Sequence, residues 1–157
     1  MPDIALSTDI IVGFPDETDD EFQRTVELVR DIEFDFAFLF AYSEREGTFA
    51  SKKIPDTVPE PVKKERLQHI IALQEAASGR RYAARVGSRV DVLVQGPSKR
   101  NPDQRFGKSG DFKTTVFDAV PGADAGSIVT VEVESASSHS LFGRAVAIDG
   151  VDVDARG

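Results

Sequence analysis

The chain of 157 residues contains no cysteine and only two histidines. Without cysteine it has no disulfide, no thiol nucleophile and no thiolate ligand for zinc or an iron–sulfur cluster. The longest apolar run, Phe36 to Tyr42, has seven residues, whereas a membrane-spanning helix needs about 20. The start, Met1-Pro2-Asp3, lacks the basic and apolar regions of a signal peptide. We therefore expect a cytoplasmic protein that has no membrane partner.

The formal net charge of −8 hides an uneven distribution along the chain. Residues 1–82 have a balance of −7 and residues 83–157 a balance of −1. Within them, the stretch from Lys63 to Lys108 holds 11 basic residues against four acidic ones, a balance of +7. A basic stretch in an acidic protein localises the surface where a polyanion would bind.

The first part of the chain has the pattern of parallel β-structure. The stretch from Ile4 to Phe14 is strand-like, and its apolar run Ile10-Ile11-Val12 predicts a strand buried on both faces. Phe34 to Tyr42 predicts a second apolar strand. Between them, Thr18 and Glu21 form a capping box that begins a helix. The order strand, helix, strand predicts a parallel pair. Seven of the 11 phenylalanines lie in these first 50 residues, so we expect the unit to require further sheet.

The pattern changes near residue 82. A charged loop at Ser43 to Pro59 leads into a helix that begins near Pro59 to Pro61. From Val86 the hydrophobic period becomes two, and five short strands are predicted between Gly, Pro, Asn and Asp turns. Five strands in a short stretch predict a small OB-like β-barrel. We expect domains at 1–82 and 83–149 and a flexible tail at 150–157.

No catalytic or metal-binding constellation is evident from the residues. His69 and His139 lack metal-ligand spacing, and we interpret both as surface or packing residues. The acidic cluster between Asp16 and Glu21 is best explained as a solvated helix start that complements the helix dipole. We therefore predict no catalytic residue and no metal ligand in this chain.

The segment from Gly96 to Lys113 interleaves Lys, Arg and Phe with Gly, Ser and Asn. RNA contact needs this mixture: cations for phosphates, planar groups for stacking, and small residues that let the backbone approach. An ordinary charged hairpin loop is the alternative. The basic helix at Lys63, Lys64 and Arg66 favours binding. The predicted RNA-binding residues are Lys63, Lys64, Arg66, Lys99, Arg100, Arg105, Lys108, Phe112 and Lys113.

Several stretches in register resemble the C-terminal part of the tRNA methylthiotransferases of the MiaB type. The similar stretches, in order, are Leu6 to Pro15, Glu17-Thr18, Phe40 to Ser43 with Gly47-Thr48, Val58-Pro59, Lys63 to Leu67 and Gly96 to Lys99. Members of this family are radical S-adenosylmethionine (SAM) enzymes with a C-terminal TRAM domain. The resemblance implies a partial (β/α) radical SAM barrel followed by a five-stranded TRAM barrel.

The resemblance also implies the chemistry of the whole enzyme, which inserts sulfur and a methyl group at C2 of an N6-isopentenylated adenosine beside the tRNA anticodon. Its two [4Fe–4S] clusters are held by cysteines, and this chain has none. We therefore expect a C-terminal fragment that is inactive alone and holds no cofactor. Its expected partner is the anticodon stem-loop of tRNA, and exposed barrel strands are expected to cause self-association.

Carried over by position, Ile11, Val12 and Gly13 would form part of the wall of the SAM pocket. Tyr42, Ser43 and Arg45 would face the mouth of the active site. The sequence departs from the family pattern at three positions, where Glu44 and Glu46 replace prolines and Asp16 replaces a glycine. In the TRAM part, Asp111 weakens the positive field of the basic segment.

Three alternatives remain open. Two are relatives in the same class: the enzyme that modifies an aspartate of a ribosomal protein, and the enzyme that modifies threonylcarbamoyl-adenosine in tRNA. Ser7-Thr8-Asp9 and Gly96 to Arg100 resemble the isopentenyl-adenosine branch more. The third is a non-enzymatic RNA-binding module, which the phenylalanine-rich βαβ unit does not favour.

Overall fold

The computed structural model describes residues 4–153 and divides them into two compact units whose boundary falls within one helix. One unit is Leu6–Ser78, and the other consists chiefly of the residues from Gly79 onward. Each unit has its own hydrophobic core. No helix among the described residues is long and apolar enough to cross a membrane.

The first unit begins with the predicted strand, helix and strand. These are β1 (Ser7–Val12), α1 (Asp19–Ile32) and β2 (Phe36–Ala41), and the two strands pair in parallel, with Ser7 opposite Phe36 and Val12 opposite Ala41. The capping box is present, since Thr18 accepts from the Glu21 amide and the Glu21 carboxylate accepts from the Thr18 amide. The predicted parallel pair and helix start are confirmed.

One face of the two-stranded sheet is covered and the other is not. Val12 packs with Val26 and Val29 of α1 in a fully buried core, which Phe34 and Ile70 complete. The opposite face carries Ile11, Phe38 and Phe40, each more than half exposed. The prediction of a strand buried on both faces is therefore wrong for this chain, and Phe38 and Phe40, two of the seven phenylalanines of the first 50 residues, lie on the open face.

Two helices follow β2. A short helix, α2 (Phe49–Lys53), begins after the N-cap Thr48, inside the stretch for which only a loop was predicted. The long helix α3 (Glu60–Ala83) begins where the prolines predicted it and continues through Gly79. Near its middle, Gln74 donates to the Phe34 carbonyl at 2.8 Å and to Ser78 Oγ at 3.0 Å.

The second unit is a closed five-stranded barrel, as predicted. Its strands are β3 (Arg89–Pro97), β4 (Gln104–Ser109), β5 (Thr114–Asp118), β6 (Ile128–Ala136) and β7 (Leu141–Ile148). They follow the order β5-β4-β3-β6-β7, and a parallel pairing of β5 with β7 closes the barrel. Valines that alternate along β3 and β6 fill the core together with Phe117, Leu141 and Ile148.

A short additional strand extends the barrel. β8 (Val151–Asp152) pairs with β7, within the stretch 150–157 for which a flexible tail was predicted. The pairing is antiparallel, with Val151 opposite Ile148. Residues 154–157 of that prediction lie outside the described residues.

Candidate nucleic-acid interface

The β3–β4 connection carries two of the predicted cations. Lys99 and Arg100 are exposed in this loop. Asn101 Oδ1 accepts from the Asp103 amide at 3.0 Å, and the Ser98 amide donates to the Gln104 carbonyl at 2.8 Å. Local hydrogen bonds therefore hold the loop while its two cationic side chains face solvent.

Arg105 and Lys108 lie on β4 beside this loop. The Arg105 guanidinium donates to the Pro102 carbonyl at 3.2 Å, and both side chains are half-buried. Lys108 Nζ donates to Thr114 Oγ1 at 2.9 Å and lies 4.9 Å from the centre of the Phe112 ring. Phe112 is 60% exposed, in a turn where its φ is +62°. The turn thus presents an aromatic ring with a cation above it.

Lys113 is placed differently from the other predicted cations of the second unit. It is buried, with Nζ 3.1 Å from Asp111 Oδ2. Arg85 donates to the same oxygen from Nη2 at 2.7 Å, and Ser109 Oγ donates to Asp111 Oδ1. Lys113 therefore belongs to a structural ion-pair cluster, and the charge of Asp111 is balanced inside that cluster.

Burial and neighbouring groups act in opposite directions on the pKa of the Asp111 carboxyl. Burial by itself raises the pKa of the Asp111 carboxyl. The hydrogen bonds from Ser109 and Lys113, and the positive charge of Lys113, act in the opposite direction and prevail, so that the pKa lies below its ordinary value. The group is therefore a carboxylate at neutral pH.

Two of the three predicted cations on α3 are also buried. Lys63 Nζ lies 2.5 Å from Asp56 Oδ2 and 2.9 Å from Glu60 Oε1. The Arg66 guanidinium pairs with Glu17 at 2.7 Å and with Asp19 at 2.6 Å. Since these charges are already matched by carboxylates, we leave Lys63, Arg66 and the buried Lys113 out of the proposed RNA surface. Lys64 is exposed on the same helix.

The carboxyl end of β1 is where a wall of the SAM pocket was expected. Val12 is buried in the core, Gly13 is buried with φ +68°, and Ile11 is 54% exposed on the open sheet face. The Gly13 amide donates to Glu17 Oε2 at 2.7 Å, and the same oxygen pairs with Arg66. Of the three predicted wall residues, Ile11 is thus the one with an accessible side chain.

The residues after β2, expected at the mouth of the active site, differ in burial. Tyr42 is half-buried, and its ring packs edge-on against Phe14 at 5.2 Å and lies 5.4 Å from Lys63 Nζ. Ser43 and Arg45 are exposed. Among residues 4–153, no group of three or more His, Asp and Glu side chains could hold a metal ion.

Comparison with known families identifies the barrel. A family model described as the TRAM domain matches residues 83–146, which include β3 to β6 and most of β7. We call this TRAM-like part of the chain the TRAM domain. Two of its exposed cations, Lys99 and Arg100, lie in the loop between the first two TRAM strands.

Curated relatives extend the similarity beyond the TRAM domain. The chain is 44% identical to the tRNA-2-methylthio-N(6)-dimethylallyladenosine synthase of Chlorobium phaeobacteroides (strain BS1) over 143 residues, 91% of this chain and 32% of that protein. It is 47% identical to the synthase of the same name from Bacillus subtilis (strain 168) over 93% of this chain and 28% of that protein. The chain thus spans about a third of the length of these relatives. The predicted resemblance to the MiaB-type methylthiotransferases is confirmed.

The TRAM domain also places two aromatic residues that were not among the predicted RNA-binding residues. Phe106 on β4 and Phe142 on β7 line the same cavity as Lys99 and Arg100. Phe142 could have been found from the sequence, because it is an aromatic residue at an outward-facing position of an alternating strand, where a polar residue is usual. Its proximity to Phe106 depends on the β5–β7 pairing, which joins distant parts of the chain.

Proposed function

We propose that this chain binds structured RNA, with tRNA as the substrate class, through the cations of β4 and of the loop that precedes it in the TRAM domain. The observation that carries the proposal is the combination of Lys99, Arg100, Arg105, Lys108 and the Phe112 ring on one strand and its two flanking loops. Cations supply contacts to phosphates, and an exposed ring supplies a stacking surface for unpaired bases. The relatives are tRNA-modifying enzymes by name, which agrees with this partner.

We further propose that the unit Leu6–Ser78 is part of a radical SAM (β/α) barrel. Parallel sheets are normally covered on both faces, and here only one face of β1 and β2 is covered. Additional barrel strands would bury Ile11, Phe38 and Phe40. In the isolated chain these side chains would favour self-association, which size-exclusion chromatography with light scattering measures.

For the whole protein to which this chain would belong, we propose the reaction named by its relatives, the synthesis of 2-methylthio-N6-dimethylallyladenosine in cytoplasmic tRNA. SAM and two [4Fe–4S] clusters would supply the radical and sulfur chemistry. The residues present do not fit a cluster, because the chain has no cysteine. We therefore propose that the isolated chain is inactive and contributes RNA binding, with Ile11, Val12 and Gly13 near the SAM pocket.

The other branches of the family and the non-enzymatic RNA-binding module are less well supported. The relatives described above are dimethylallyladenosine synthases by name. A module that only binds RNA would have no use for the open apolar face of β1 and β2. With the domain division proposed from the sequence, 1–82 and 83–149, the cations that we retain in the RNA surface all lie in the second part.

The experiment is a filter-binding titration of the chain with an anticodon stem-loop RNA at several salt concentrations. We expect affinity to fall steeply with salt, because binding releases counterions from phosphates. The triple variant Lys99→Ala, Arg100→Ala, Lys108→Ala should reduce the salt slope by about one unit per lost phosphate contact, about three in total.

The matched control is the triple variant Arg24→Ala, Lys52→Ala, Lys53→Ala, which removes the same charge from exposed positions in the unit Leu6–Ser78. It should leave the salt slope unchanged. RNA affinity that does not vary with salt, or an equal loss in both triple variants, would contradict the proposal.

A further inference from the structure

Three apolar side chains form a row on the outer face of the TRAM barrel. Val116 of β5 is the register partner of Phe106 on β4 and of Phe142 on β7. Directly paired residues point to the same face of a sheet, with Cβ atoms about 5 Å apart. Thr115 and Phe117, the chain neighbours of Val116 on β5, point into the barrel and are fully buried. The row is therefore not part of the core, and Phe142 is 39% exposed.

A cavity of about 610 Å³ lies over this row. The loop before β4 contributes Lys99 and Arg100 to its lining, and the turn between β6 and β7 contributes His139. The His139 ring is fixed by a hydrogen bond from Nδ1 to the Ser138 carbonyl at 2.7 Å. The volume is within the range of about 300–1,000 Å³ that is usual for small-ligand pockets.

The lining combines flat apolar surfaces with cations. Phe106 and Phe142 offer aromatic rings, and the exposed Lys99 and Arg100 offer two positive charges within the same cavity. A nucleotide has this pair of properties, because its base stacks on aromatic rings and its phosphate is an anion. A base inside a duplex is already stacked on both faces, so an unpaired base fits the cavity better.

We propose that this cavity binds one unpaired nucleobase of an RNA, stacked on Phe106 or Phe142, with the adjoining phosphate held by Lys99 and Arg100. The proposal rests on the proposed RNA binding and goes further by assigning a site for a single base. It predicts that the domain prefers RNA loops and single strands to continuous duplex. It also gives different roles to the rings, which contact the base, and to the cations, which contact the backbone.

The test is a titration of the full chain with a short single-stranded RNA that carries 2-aminopurine at a central position. The chain contains no tryptophan, so the fluorescence of the probe is observed with little protein background. Phe142→Leu and Phe106→Leu remove a ring but keep an apolar side chain. Each should weaken single-strand binding by about tenfold and leave the salt slope unchanged, since no charge is lost.

Phe49→Leu is the matched control, because Phe49 is 73% exposed and lies in the unit Leu6–Ser78. It should bind as the unaltered chain does. A duplex of the same sequence should bind more weakly than the single strand and should not distinguish Phe142→Leu from the unaltered chain. If both ring variants bind the single strand normally while the charge variants do not, the base pocket is wrong and RNA binding stands. If the unaltered chain binds no RNA, both proposals are wrong.

A second measurement uses the unaltered chain and does not depend on how the variants fold. Photo-crosslinking of a 5-bromouridine-labelled single strand, followed by peptide mass spectrometry, should place crosslinks within 98–106 or 137–142. Crosslinks confined to other segments would overturn the assignment of the base to this cavity.

Discussion

The ammonium group of Lys63 lies 2.5 Å from a carboxylate oxygen of Asp56, and the lysine is almost wholly buried. Burial by itself lowers the pKa of the Lys63 ammonium, but hydrogen bonds to Asp56 and Glu60 prevail and raise it above its ordinary value. The side-chain stem of Lys63 also packs against Gly13. The stem of Lys63 therefore supports the carboxyl end of β1, and its charge holds Asp56 and Glu60 at the start of α3.

We predict that Lys63→Met, which keeps most of the stem and removes the charge, lowers the free energy of unfolding by about 2 kcal/mol. Stability from this ion pair should be fully present below about pH 10.4, the pKa of an unfolded lysine, and lost as the pH rises through the raised folded pKa. Urea unfolding of the Lys63→Met variant and the unaltered chain measures the loss of unfolding free energy. RNA affinity should stay unchanged, and a large loss of it would return Lys63 to the binding surface.

We predict that Asp111→Asn lowers the free energy of unfolding by about 2 kcal/mol near neutral pH, because Arg85 and Lys113 lose their shared carboxylate. The folded pKa of Asp111 lies below its unfolded value. Its stabilisation is therefore present above about pH 4 and is lost as the pH falls through the lowered folded pKa.

Urea unfolding of the Asp111→Asn variant and the unaltered chain over an acidic pH series checks this prediction. The difference between them should shrink toward the acid end. Asp124→Asn, at an exposed position of the barrel, should have little effect at any pH. A difference between Asp111→Asn and the unaltered chain that stays constant down to strong acid would contradict the assigned role.

The secondary structure was largely predictable, because its signals are local. The capping box at Thr18 and Glu21 and the alternating valines of β3 depend on residues within a few positions of one another. Which cations are buried in ion pairs and which are exposed could not be predicted in this way. Arg66 is neutralised by Glu17, 49 positions away, and nothing in the basic stretch indicates that partner. The cavity likewise depends on the parallel closure of β5 with β7.

We predict that Gly13→Ala destabilises the chain by about 3 kcal/mol, from two separate costs. The left-handed φ of +68° costs a residue with a Cβ about 1–2 kcal/mol. The new Cβ would also collide with Lys63 Cγ, which adds the cost of overpacking. Gly47→Ala is the control, because its φ is +87° and a Cβ there meets no atom within 4 Å. Equal losses of stability in the two variants would show that the contact with Lys63 is unimportant.

We predict that Thr115→Val stabilises the chain. Thr115 is fully buried on β5, and its Oγ1 has no hydrogen-bond partner among the described residues. A buried hydroxyl without a partner costs free energy, so replacing it with a methyl group should raise the free energy of unfolding by about 1 kcal/mol. The neighbouring Thr114→Val is the matched control, because Thr114 Oγ1 accepts from Lys108 Nζ at 2.9 Å on the outer face. Urea unfolding should show a gain for the first variant and none for the second. A loss of stability in Thr115→Val would mean that the hydroxyl has a bound partner, since the change in shape is small.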